Sequence, residues 1–157
     1  MPDWCRWLRV FVLVLSCSAV AAARDLAVVS NKTNSINSIA MPDFVKVCKA
    51  QMSRWPDGKP VTFVMRAPAL PEMKMLLEKV YAMSETEVND LIATANHGRN
   101  NHPAIVIATS DEDLINKVAS MPGAVGIVDV YAINSSVQVV KLAGKLPFEP
   151  GYPLHGN

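Results

Sequence analysis

Residues 104–130 read AIVIATSDEDLINKVASMPGAVGIVDV, and this stretch decides the fold. Ala104 to Thr109 is a continuous apolar run of strand length, the pattern of a strand covered on both faces. Ser110-Asp-Glu-Asp113 supplies a helix cap, and Leu114, Ile115 and Val118 fall three and four apart on one helical face. Met121-Pro-Gly123 stops that helix, and Ala124 to Val130 is the next strand.

The same alternation continues outward. Ser84-Glu-Thr-Glu87 has the form of a capping box, so a helix starts at about Glu85, with Val88, Leu91, Ile92 and Ala95 facing the core and Gly98 closing it. Before it, Met73, Leu76, Leu77, Val80 and Tyr81 keep helical spacing from about Pro71. Val61 to Met65 is a strand, and Trp55-Pro-Asp-Gly58 a type I turn ahead of it. Phe44, Val47 and Cys48 predict a helix through about Gln51 that buries the thiol. Leu26 to Ser30 is the first strand, and Val137 to Leu142 the last. The result is an α/β fold with a mostly parallel sheet of about five strands and helices on both faces. Ligands in such sheets sit at the carboxyl ends of strands, here residues 30–38, Arg66 to Pro68, and Thr109 with Ser110.

Composition sets the outer bounds. A chain of 157 residues, 50% hydrophobic, fits one domain, placed at 24–146, with residues 147–157 an irregular surface tail rich in Pro and Gly. Residues 1–23 read as an export signal: Arg6 and Arg9, an apolar run from Val10 to Leu15, then small residues from Ala19 to Ala23. A lipid anchor at Cys17 is the weaker reading, because the apolar core before it is short. The expected location is periplasmic or secreted, with nothing membrane-spanning once the signal is removed. Removal takes Asp3, Arg6 and Arg9 with it, so the formal charge falls from +1 to 0. Such a balance lacks the basic footprint of a nucleic-acid binder. Removal also leaves Cys48 as the single cysteine, which excludes an internal disulfide.

Two pieces are the most specific: Arg54-Trp-Pro-Asp-Gly58 followed by the strand to Arg66, and Val118 through Pro122-Gly-Ala-Val-Gly126 into Ile127-Val-Asp129. Their order and spacing resemble the phosphate-type substrate-binding proteins of ABC transporters, over roughly Leu26 to Leu142. The resemblance implies one lobe of the type II periplasmic-binding-protein fold. It implies an exported, non-catalytic module that binds a small anion such as phosphate in connection with ABC transport, completed by a partner lobe or an envelope protein. The alternative is a periplasmic interaction or scaffold protein that keeps the lobe without the ligand. The sequence departs from the family at three places. Ala67-Pro-Ala-Leu-Pro71 stands where full-length phosphate binders carry a Ser-Gly-Thr run, Ala50-Gln51 replaces Gly-Lys, and Ile127 replaces Tyr.

The candidate ligand-binding residues are Ser30, Asn31, Thr33, Asn34, Ser35, Arg66, Thr109 and Ser110. Arg66 offers a planar set of donors at a strand end, or forms an internal ion pair. The loop at 30–38 is rich in donors, or is a turn with a helix cap. Asp111, Glu112 and Asp113 already occupy the positive helix end beside Thr109 and Ser110, which argues against an anion there. His97 and His102 flank a Gly-containing loop without further ligands, so no metal site is expected, and no cofactor either. No His or Lys stands ready to activate Ser84 or Ser110, so no catalytic constellation is expected.

Overall fold

The computed structural model describes residues 24–156, so the export-signal reading of residues 1–23 lies outside the described residues. Its centre is a six-stranded sheet in the order β2-β6-β1-β5-β3-β4. The strands are β1 (Leu26–Asn31), β2 (Ser38–Ile39), β3 (Thr62–Arg66), β4 (Ile105–Ala108), β5 (Ala124–Asp129) and β6 (Val137–Leu142). β3 runs parallel to both β4 and β5, and β2 parallel to β6. β1 alone runs against its neighbours, pairing Leu26 with Asp129 on β5 and Asn31 with Val137 on β6. The sheet is mostly parallel. The expected count of about five is corrected to six by β2, two residues at the end of the polar loop that add to the edge of β6.

Helices cover both faces. On one lie α1 (Met41–Cys48), the composite α2, and α3 (Glu85–Asn96); α2 joins a 3₁₀ turn Pro71–Met73, an α-turn Lys74–Leu76 and a π-turn Leu77–Tyr81. Their apolar residues pack with Leu26, Val28, Phe63 and Met65 in one core, where the rings of Phe44 and Phe63 meet edge-on at 6.1 Å. On the other face α4 (Asp111–Ser120) presses Leu114, Ile115 and Val118 against Val29, Val64 and Val128. It can approach because β5 carries Gly126, where an added Cβ would stand 2.8 Å from Val118 and 2.9 Å from Leu114. Burying each such aliphatic side chain contributes roughly 1.5–3 kcal/mol.

Local signals for helix ends behave as their chemistry requires. Ser84 Oγ accepts from the Glu87 amide at 3.2 Å while the Glu87 carboxylate accepts from the Ser84 amide at 2.7 Å. α1 stops at Cys48, short of Gln51, because Ala50 turns into the left-handed region at φ 56°. Burial holds the Cys48 thiol well above its ordinary pKa. β4 is the outer strand of the sheet, yet its apolar run is covered on both faces, Ile105 lying in the core of α1 to α3 and Ala108 in that of α4, with Ile107 37% exposed.

The tail is a second correction. Residues 147–156 contain no helix or strand, yet they do not lie free on the surface. Tyr152 and Leu154 are buried, Tyr152 Oη donates to the Leu26 carbonyl at 2.6 Å, and the Leu26 amide donates to the Leu154 carbonyl at 3.1 Å. The buried Asp25 carboxylate accepts from the amides of Phe148 and Gly156, both at 3.0 Å, and meets His155 Nδ1 at 2.7 Å. The tail thereby closes onto the start of β1.

Burial by itself raises the pKa of Asp25, but the Gly156 and Phe148 amides and His155 more than offset it and hold the carboxyl below its ordinary value. A lowered carboxyl pKa stabilises the fold above its unfolded value, about 3.9, and that contribution is lost as pH falls through the folded value. Amide exchange at Phe148 and Gly156 is therefore expected to accelerate as pH falls below about 4, beyond the intrinsic trend. Asp25→Asn is expected to be less stable than the natural chain at pH 7 and to converge with it in acid. Parallel stability curves at both pH values would contradict this anchor.

Candidate functional site

The antiparallel β1 divides the predicted site. Ser30 pairs with Val125 and Thr62 with Ala124, so the loop after β1 stands beside the amino ends of β5 and β3. Arg66 pairs with Ala108 at the carboxyl ends of β3 and β4, next to Thr109 and Ser110. Ser30, Asn31, Thr33, Asn34 and Ser35 thus occupy one edge of the sheet, and Arg66, Thr109 and Ser110 the other. Roughly 13 Å of strand separates them, four steps at about 3.3 Å. The structure does not bring the two sets together.

On the first edge, the loop's polar side chains bind the protein itself. Asn31 Nδ2 donates to the carbonyls of Val118 and Ala119, at 3.0 and 2.9 Å, satisfying the open end of α4. Asn31 Oδ1 accepts from the amide and hydroxyl of Thr33. Asn34 Oδ1 accepts from the Gly123 amide at 2.8 Å, and its Nδ2 donates to the Ala124 carbonyl at 3.0 Å. Ser30 Oγ donates to the Asn31 carbonyl and accepts from Gln138, while Ser35 Oγ donates to Asp57. The helix-cap role open to this loop is not taken, since Ala40 stands at the N-cap of α1 with no side-chain bond.

The same turn is held from its other side. The indole Nε1 of buried Trp55 donates to the Gly123 carbonyl at 2.8 Å. Gly123 has φ +88°, and a Cβ there would lie 2.0 Å from the Pro60 carbonyl oxygen. Asn34, Trp55 and Pro60 form a clamp on one glycine. Gln138, which reaches Ser30 Oγ and the carbonyls of Asn34 and Ile36, is absent from the sequence-based candidates. No motif marks it; its place in the middle of a strand facing a polar loop emerges only from the β1–β6 register.

On the second edge, Arg66 is largely covered, with 16% of its side chain exposed. Its Nη1 donates to Asp111 Oδ1 at 2.9 Å and lies 3.7 Å from Glu72 Oε1. Its Nε is buried and has no partner among the described residues. Thr109 donates through both amide and hydroxyl to Asp113, and Ser110 Oγ caps α4 by accepting from the Asp113 amide. Hydrogen bonds from Lys117 and the Thr109 amide hold the Asp113 carboxyl below its ordinary pKa, so the positive end of α4 already has its anion. In the loop from Ala67 to Pro71, the Leu70 amide bonds the Ala67 carbonyl, and Pro68 and Pro71 have no N–H. Around Arg66, carboxylates outnumber the guanidinium.

No protein-family model matches the chain, and no curated protein matches it. Solved structures do. An ABC-type phosphate transport receptor from Vibrio cholerae superposes with a TM-score of 0.69 at 16% identity, over 86% of this chain and 55% of that one. PstS from Borrelia burgdorferi gives 0.65 at 12%, over 87% and 56%. A phosphate ABC transporter substrate-binding protein from Clostridium perfringens, solved with bound phosphate, gives 0.61 at 16%, over 78% and 46%. At these identities the likeness establishes the fold, which is that of these receptors, and the chain spans about half of their length.

The clamp is open to direct test. Gly123→Ala combines a left-handed backbone with a backbone clash, and is expected to lower stability by at least about 3 kcal/mol in denaturant unfolding. Asn34→Ala strands a buried amide and a carbonyl and is expected to cost about 2 kcal/mol. A loss below about 0.5 kcal/mol at both positions would show that the turn holds without them.

Proposed function

We propose that the chain is an exported, non-catalytic solute-binding-protein-like module, and that its Arg66 end takes a small oxyanion such as phosphate. The single observation that carries this reading is Arg66, held at the carboxyl end of β3 with a buried Nε that has no partner. Support comes also from the fold, whose solved neighbours include a receptor with bound phosphate. An anion here must displace Asp111 and Glu72 from the guanidinium and bear their repulsion, without the backbone amides that usually complete such sites. Binding is accordingly weak, about millimolar. A second lobe, from a partner chain or an envelope protein, would supply the missing donors. Among the described residues no helix is long and apolar enough to cross a membrane.

The neutralised state of Arg66 also favours a second reading, an envelope interaction or scaffold protein that keeps the fold without the ligand. Calorimetry with inorganic phosphate separates the two. If Arg66 is the anion site, Asp111→Asn is expected to bind phosphate about tenfold more tightly than the natural chain, and Arg66→Ala to lose binding. Absence of heat for both the natural chain and Asp111→Asn in tens-of-millimolar phosphate, ~50 mM, would leave the scaffold reading.

A further inference from the structure

The edge opposite Arg66 carries a groove that neither the neighbours nor the sequence motifs assign. It lies at the amino ends of β3 and β4 and has a volume of about 800 Å³. Ser53 and Arg54 stand on one wall, and Arg99, Asn100, Asn101 and His102 on the other. Among the described residues no acidic side chain lines it. Here the charge balance is the reverse of that around Arg66. Arg54 engages one arm, Nη1, with the Gly58 carbonyl at 2.8 Å and, among the described residues, forms no ion pair. Among the described residues, the side chains of Arg99, Asn100, Asn101 and His102 bond to no other part of the protein, and Arg99 too lacks a carboxylate partner.

Both walls are fastened to the frame. The Arg54 wall is the turn closed by the Gly58 amide on the Trp55 carbonyl and by the Trp55 amide on Lys59, and Trp55 is in turn fixed to Gly123. The other wall leaves α3 through Gly98, at φ +73°, and enters β4 where Asn96 binds the Ala104 and Ile105 amides and the Ile105 carbonyl. Thr62 Oγ1 adds a bond to the Pro103 carbonyl. Donors held on two fixed walls lose less freedom on binding than donors on a free loop.

We propose that this groove binds a small multivalent anion of the phosphate class, with Arg54 and Arg99 meeting its acidic groups and the asparagine amides and His102 completing the contacts. A volume of this size suits a ligand larger than a single oxyanion. Two arginines from separate segments of the lining favour an anion with more than one charged centre. The site is separate from Arg66 and does not depend on it.

The test is calorimetric titration of the full chain with inorganic pyrophosphate, alongside orthophosphate. The full chain and its Arg66→Ala variant are both expected to bind pyrophosphate at least about tenfold more tightly than orthophosphate. Arg54→Ala and Arg99→Ala are each expected to weaken it at least about fivefold, with melting temperatures unchanged because both residues are exposed. Pyrophosphate binding that is absent, that survives the Arg54→Ala, Arg99→Ala double variant, or that disappears with Arg66→Ala alone overturns the proposal. Sedimentation with phosphatidylglycerol vesicles, competed by pyrophosphate, assigns the phosphate group to a lipid headgroup at this groove. Sedimentation that pyrophosphate leaves untouched, together with loss of vesicle binding in the double variant, overturns the small-anion assignment in favour of a membrane surface.

Discussion

Two segments far apart in sequence, the loop of Asn34 and the turn from Trp55 to Pro60, meet on the backbone of Gly123. Asn34 holds its amide and the following carbonyl, Trp55 holds its own carbonyl, and the Pro60 carbonyl lies where any side chain would begin. Each contact joins a loop to the start of β5, and β5 is the strand between β1 and β3. The clamp therefore sets where the loop leaving β1 and the turn entering β3 sit relative to the sheet. Asn31 extends the arrangement by closing the last carbonyls of α4, the helix that Gly126 admits onto β5. Packing supplies most of the stability, but this polar junction selects one register among those an apolar sheet would accept.

The two edges of the sheet differ in how their polar groups are used. Along the clamp edge, Ser30, Asn31, Thr33, Asn34 and Ser35 satisfy backbone and side-chain groups of the protein, and the unneutralised cations stand beside them in the groove of Arg54 and Arg99. Along the other edge, Arg66 is matched by Asp111 and Glu72, and the helix end by Asp113. That second edge is also where the tail is tied down, through Asp25, Tyr152 and Leu154. An exposed aromatic pair, Tyr131 and Phe148, stands there with ring centres 6.1 Å apart. This charge balance leaves the Arg66 guanidinium already matched within the protein, whatever the ancestry of the fold.

What was legible in the sequence was local. The capping box of Ser84 and Glu87, the cap at Ser110, the stop at Pro122-Gly123 and the buried stripe of Phe44, Val47 and Cys48 each depend on residues a few positions apart. The direction of β1 was not legible, because an apolar run buried on both faces reads alike in either direction. It is determined by contacts such as Asn34 to Gly123, which span 89 positions. For the same reason the donor-rich loop reads as either a ligand loop or a turn: side chains that would bind a ligand and side chains that bind a distant turn are the same residue types. The tail misled by composition, since its Pro and Gly content outweighed Tyr152 and Leu154, the two residues that anchor it. The apolar run of β4 fits its cover on both faces and carries no mark of its place at the sheet edge.

The Gly123 turn is a fixed junction and not a mobile loop, and hydrogen exchange at the Gly123 amide together with the Trp55 indole N–H reads this directly. Both are expected to exchange only through global unfolding, with the same opening free energy as the amides of Val125 and Ile127 in β5. Exchange of either group under native conditions at the rate of an exposed loop amide such as that of Asn100 would contradict it.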